Sequence, residues 1–207
     1  MNCYLFLILL LSNALCAQTP SIKWQRCVGG SSDDEAKQVF AVDAGKILLG
    51  GSTSSNDGDV ILTSGLANAL LVSIDSLGNI LASKCYGGQD ITEMSSFCRI
   101  PGINKLLIGG GTNSADFSAY HGGFPPLYDD AFLLSIDSSG NKEWAKCYGE
   151  YYEDFAFQVK ACNNGGFILS AQVQGNGGDV HGYHGFEDWW IVRTDSIGDI
   201  LWSRCLG

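Results

Sequence analysis

The chain has 207 residues, enough for one domain or at most two. Twelve Lys and Arg stand against 22 Asp and Glu, a net charge of −10, which excludes the basic face that phosphate binding needs. Nucleic acid is therefore not an expected partner, and an anionic membrane surface is disfavoured by the same sign. Hydrophobic residues make up 45 % of the chain and glycine is frequent at 27, a composition suited to short strands joined by tight turns.

Residues 4–11 form an apolar run too short to span a bilayer as a helix. Small residues follow, ending in Leu15-Cys16-Ala17. This pattern is expected of a signal peptide over residues 1–17, cleaved after Ala17, with residues 18–207 exported to the periplasm, cell surface or medium. Cys16 raises lipid anchoring as an alternative, but Leu15 stands where lipoprotein signals carry a small residue. No later stretch is apolar enough to serve as a transmembrane segment.

Beyond the leader the chain repeats itself. Four segments align without gaps: Trp24-Gln-Arg-Cys27-Val-Gly29, Ala82-Ser-Lys-Cys85-Tyr-Gly87, Trp144-Ala-Lys-Cys147-Tyr-Gly149 and Trp202-Ser-Arg-Cys205-Leu-Gly207. The cysteines are spaced by 58, 62 and 58 residues. Before the last three segments runs an Asp-Ser-x-Gly-Asn/Asp element, at Asp75, Asp137 and Asp195. Its Asp can cap backbone N–H groups of a hairpin turn while its Gly takes the left-handed position. Glycine-apolar runs at 46–51, 105–110 and 166–171 lie between.

Each unit reads as four strands, the first carrying Trp-x-Lys-Cys-Tyr. The units are placed at 24–80, 81–141 and 142–200, with 201–207 as the first strand of a fourth. A four-stranded sheet of this size must stack on its neighbours to bury both faces. The expected fold class is all-β, with four-stranded antiparallel repeat units arranged as a partial β-propeller; a linear array of sheets is the alternative. Three full units fall short of the usual four to eight blades. The chain is then a piece of a longer product, or it completes a ring by self-association.

The repeated elements suggest several sites. If first and second strands are neighbours, Cys85 could bridge Cys98, and Cys147 could bridge Cys162, in an oxidising compartment; otherwise all are small buried apolar residues. The loops between third and fourth strands are rich in oxygen ligands. Asp57, Asp59 and Asp179 are candidate Ca²⁺ ligands, Ca²⁺ being the one cofactor suggested, although the spacing matches neither an EF-hand nor the glycine-rich calcium nonapeptide. His181 and His184 are candidate ligand-binding residues of the third loop, with solvated loop positions as the simpler reading. Trp189 and Trp190 are adjacent in a strand and must point to opposite faces. Trp190 is the candidate for stacking against a sugar. Catalytic signatures are absent: there is no nucleophile elbow, zinc-protease motif, P-loop or dinucleotide fingerprint.

The motif order resembles a family of secreted bacterial repeat proteins. The resemblance lies in Ser55-Asn-Asp57-Gly-Asp59-Val60 and in Gly178-Asp179-Val-His181-Gly-Tyr-His184-Gly-Phe-Glu-Asp188-Trp189-Trp190-Ile-Val-Arg193. It covers the chain from about Trp24 onward. It implies a propeller-like fold and a secreted or cell-surface location, often with a sorting tail for type IX secretion. It carries no matched catalytic residue. The function expected is a non-catalytic exported scaffold that binds protein or glycan through its loops; a hydrolase-type domain with a site at the propeller axis, or a structural fragment of a longer protein, is the alternative.

Overall fold

A computed structural model describes residues 20–42, 45–61, 65–121 and 128–207. The expected signal peptide lies outside the described residues. Among the described residues twelve strands form three four-stranded antiparallel sheets. The first sheet runs in the order β1 (Asp34–Ala41), β2 (Ile47–Thr53), β3 (Asn68–Ile74), β4 (Ile80–Tyr86). The second holds β5 (Thr92–Arg99), β6 (Leu106–Thr112), β7 (Asp130–Ile136), β8 (Lys142–Tyr148). The third holds β9 (Asp154–Ala161), β10 (Phe167–Val173), β11 (Asp188–Thr194), β12 (Ile200–Leu206). No helix among the described residues is long and apolar enough to cross a membrane.

The strands fall where the sequence places them, but the sheets are cut one strand later. The Trp-x-Lys-Cys-Tyr strand is the fourth of each sheet, not the first. Residues 201–207 therefore close the third sheet rather than open a fourth unit, and residues 24–29 belong to no strand. The reason is local. The Asp75, Asp137 and Asp195 elements are tight hairpins, and a tight hairpin joins strands that pair. Asp137 Oδ1 accepts from Ser139 N and Asn141 N, both at 2.8 Å, while Gly140 sits at φ 75°. The crossings between sheets are the stretches 87–91 and 149–153.

The three sheets form an open row. Alternation gives each sheet a back face, toward the sheet before it, and a front face, toward the sheet after it. Leu48, Ala69 and Leu71 on the front of the first sheet meet Met94, Phe97 and Phe132 on the back of the second. Leu107, Ala131 and Leu133 on the front of the second meet Val159, Leu169 and Trp190 on the back of the third. Small residues let the sheets approach: a Cβ on Gly50 would lie 2.6 Å from both Met94 Sδ and Phe97 Cδ1. The first strands β1, β5 and β9 contact one another in sequence, which sets the fourth strands at the far edge.

This phase removes the expected cysteine bridges. Cys85 lies on a far-edge strand against the back-face cluster of the first sheet, whereas Cys98 sits on a first strand between the second and third sheets. Cys147 is packed between the first and second sheets, and Cys162 follows β9 of the third. All six described cysteines are free. Burial pushes the Cys85 thiol up to about 11, with the charge of Asp34 adding to it.

Candidate functional site

One end of the row gathers the β2–β3-type loops of each sheet and the crossings between sheets. The lead-in to the first sheet and the crossing into the third are each tied to the loop of the sheet that follows by the same bond: Asp59 N donates to Gly29 O, and Asp179 N donates to Gly149 O, both at 2.9 Å. At this end the repeat loses its symmetry, in the junction between the second and third sheets.

In the first sheet Asp34 heads β1 opposite Thr53. Its carboxylate accepts from Thr53 Oγ1 at 2.5 Å, Ser55 Oγ at 2.9 Å and Gly30 N at 2.8 Å. Partial burial opposes ionisation there, but these three bonds outweigh it and lower the pKa. In the second sheet the same pair is Thr92 and Thr112, bonded hydroxyl to hydroxyl at 2.8 Å. In the third it is Asp154 and Val173. Asp154 Oδ2 still accepts from Glu150 N at 2.5 Å, but valine offers no hydroxyl and Oδ1 is buried without a partner. Burial, then the charges of Glu150 and Asp130, push its pKa to about 8 against the bond from Glu150 N.

The facing residue changes too. Asn68 begins β3, whereas Asp130 begins β7 and is fully buried. Asp130 Oδ2 accepts from His121 N at 2.6 Å and faces His121 Nδ1 at 3.0 Å, and His121 Nε2 lies 3.6 Å from Asp179 Oδ2. The Asp130 bond raises the His121 pKa, while burial raises that of Asp130. The Oδ1 atom of Asp130 and the Oε1 atom of Glu150 are also buried and unpartnered. Asp129 is pushed up to about 7 by burial and by Glu153, Glu93 and Asp130. A neutral Asn–Thr junction between the first two sheets has thus become an acidic junction between the second and third.

Tyrosines stand over this junction. Tyr128 precedes β7, and Tyr151 and Tyr152 lie in the crossing before β9. Tyr152 packs edge-on against both, with ring centres 5.8 Å from Tyr128 and 5.6 Å from Tyr151. All three remain 38–54 % exposed. The two segments are held together by Asp154 N donating to Asp129 O at 2.6 Å and by Asp129 N donating to Glu153 Oε2 at 3.3 Å. The result is a half-exposed aromatic surface bordered by carboxylates.

The sequence-derived candidates are placed as follows. Trp190 is fully buried in the core between the second and third sheets, so it offers no stacking face; Trp189, its neighbour on the opposite side of β11, is 72 % exposed. His181 is exposed in its loop. His184 N and Nδ1 both contact Asp188 Oδ2, at 2.8 and 2.9 Å, repeating the His121–Asp130 pattern as a structural element of the loop. Asp57 and Asp59 lie on the first loop, where Asp57 Oδ1 accepts from Ser31 N and Asp59 pairs with Arg26. Asp179 lies on the third, and the three do not converge. Among the described residues no group of three or more His, Cys, Asp or Glu side chains has metal-holding geometry. A separate cleft between the first and second sheets, near Leu48, Lys84, Arg99 and Asp137, lies at the opposite end.

Tyr128, Tyr151 and Tyr152 were not singled out from the sequence, and Asp130 and Asp154 were marked there only as a loop oxygen ligand and a recurring acid. The substitution of Val173 for Thr53 and Thr112 was visible in the repeat alignment and would have marked the third unit. No family model matches the chain, and neither does any curated protein.

Proposed function

We propose that the chain is an exported β-propeller-type scaffold that binds a glycan at the junction of its second and third sheets. The observation that carries this reading is the Tyr128–Tyr151–Tyr152 surface beside Asp129 and Glu153. An aromatic ring offers an apolar, electron-rich face to the C–H groups of a pyranose. Neighbouring carboxylates accept hydrogen bonds from its hydroxyls, and charged acceptors make the stronger bonds. The packed sheets hold these groups in place before a ligand arrives, which lowers the entropy cost of binding. The propeller arrangement is supported by four-stranded antiparallel sheets packed in sequence with their first strands together.

A second reading, hydrolysis at the same site, is favoured by one observation: Asp129 and Asp154 have pKa values pushed to about 7 and about 8, the range of a general acid. Screening the purified mature chain on a polysaccharide panel tests both. Binding is expected to weaken about tenfold in Tyr152→Ala, a loss of roughly 1.4 kcal/mol. Release of reducing ends, abolished by Asp129→Asn, would establish the hydrolytic reading. Binding that is indifferent to Tyr152→Ala would remove the site from consideration.

A further inference from the structure

Residues 24–29 occupy the place of a fourth strand without belonging to a sheet. In the second sheet Lys146 and Tyr148 of β8 reach the following β11–β12 turn, through Lys146–Asp199 and Tyr148 OH donating to Gly198 O. In the first, Lys84 and Tyr86 of β4 reach the β7–β8 turn the same way, donating to Ser139 O and Gly140 O. Trp24 Nε1 and Arg26 reach the β3–β4 turn likewise, donating to Ser76 O at 3.0 Å and Gly78 O at 3.4 Å. Among the four copies of this strand, Trp24-Gln-Arg-Cys-Val-Gly29 is nearest to Trp202-Ser-Arg-Cys-Leu-Gly207. Both carry Arg where the middle copies carry Lys, and both carry an aliphatic residue where those carry Tyr. The chain thus holds two nearly interchangeable segments, residues 24–29 and β12.

The faces they flank are both partly uncovered among the described residues, although Val28 packs against the buried Leu70, Val72 and Ile74 of the first. On the back of the first sheet Val39 is 64 % exposed, whereas Phe97 and Val159 at the same register are fully buried. A hollow there of about 130 Å³ is lined by Val28, Ala36, Leu49, Gly51, Leu70 and Val72. On the front of the third sheet Trp189 is 72 % exposed, and it stands where the inner sheets carry the buried Ala69 and Ala131. Bulk and hollow are thus exchanged. At the first inner junction small Ala69 and Gly50 face large Met94 and Phe97. At the two outer faces a large Trp189 is offered by one, and small Ala36 and Val39 by the other. Chemistry matches as well: His184–Asp188 repeats His121–Asp130, while Asp34 and Asp59 repeat Asp154 and Asp179.

We infer that the back face of the first sheet receives the front face of the third sheet of a second copy of this chain, head to tail, with β12 of one copy displacing residues 24–29 of the next. Such a contact is heterologous, joining two different surfaces, and it closes as a ring or propagates. Two copies bring together six sheets, within the usual blade range.

Light scattering on the full mature chain across concentration tests this, using Val39→Lys and Trp189→Glu, both at exposed positions that folding tolerates. Wild type is expected to associate and each variant alone to be monomeric. An equimolar mixture of the two is expected to form heterodimers, because each retains the one intact face that the other lacks. Trp24→Ala, which loosens the competing segment, is expected to tighten association about tenfold. A wild type that stays monomeric at all concentrations overturns the proposal. Variants that still associate alone, or a mixture that stays monomeric, would show that the contact is not head to tail. Weaker association in Trp24→Ala would overturn the strand displacement.

Discussion

At Asp154 a buried carboxylate lacks the hydroxyl that Asp34 receives from Thr53, and its pKa rises to about 8 from an ordinary 3.8. Between those values the folded chain keeps a proton that the unfolded chain releases. Stability therefore falls as pH rises from about 4 to about 8, by up to ~1.4 kcal/mol per unit for one proton. Asp129, also raised by burial, acts in the same direction. His121, raised above 6.5 mainly by its bond to Asp130, stabilises below that value and loses its contribution as pH rises through its folded pKa. Asp75, Asp137 and Asp195, lowered by their turn bonds, act oppositely but only as pH falls below the ordinary carboxylate range. Thermal unfolding is thus expected to occur at higher temperature at pH 5 than at pH 8. Asp154→Asn, which keeps an acceptor for Glu150 N and cannot ionise, is expected to flatten that difference. At β11 the two adjacent tryptophans separate core from surface. Trp190→Ala is expected to cost about 3–5 kcal/mol in denaturant unfolding, and Trp189→Ala less than about 1.

At the scale of elements, the turns and the sheet spacing carry the fold. Asp137→Ala removes the acceptor of two backbone bonds in the β7–β8 turn and is expected to lower the melting temperature. Gly109→Val places methyl groups against Val159 across the second junction, an overpacking expected to cost about 1–3 kcal/mol. Nearly every strand was legible, because alternating apolar runs and Asp-Ser-x-Gly turns recur at one spacing. The sheet boundary was not read correctly. A repeat period is blind to phase, so a unit cut before the Trp-x-Lys-Cys strand has the same length as one cut after it. Turn chemistry breaks the tie: the Asp element closes too tightly to cross between sheets, while residues 87–91 and 149–153 are long enough to do so. That same shift moves each proposed cysteine pair onto different sheets.

At the scale of the molecule, three stacked sheets bring residues far apart in sequence into one junction. Asp130 and Asp154 lie on different sheets, and nothing in either strand alone marks them as neighbours. Their clustering was illegible because it depends on the register between sheets, which pairing within a sheet does not determine. The tyrosine surface was missed for the same reason: Tyr128 and Tyr152 meet only because β7 and β9 start at the same end. What the repeat did show is that a site breaks its symmetry, and the third unit does so at Val173 and Trp189. The most direct test of the account is amide hydrogen exchange of the mature chain with and without a polysaccharide that it retains. The account predicts protection concentrated at residues 128–130 and 149–154. Protection centred on Trp189 and the front of the third sheet, with those segments unchanged, would contradict it.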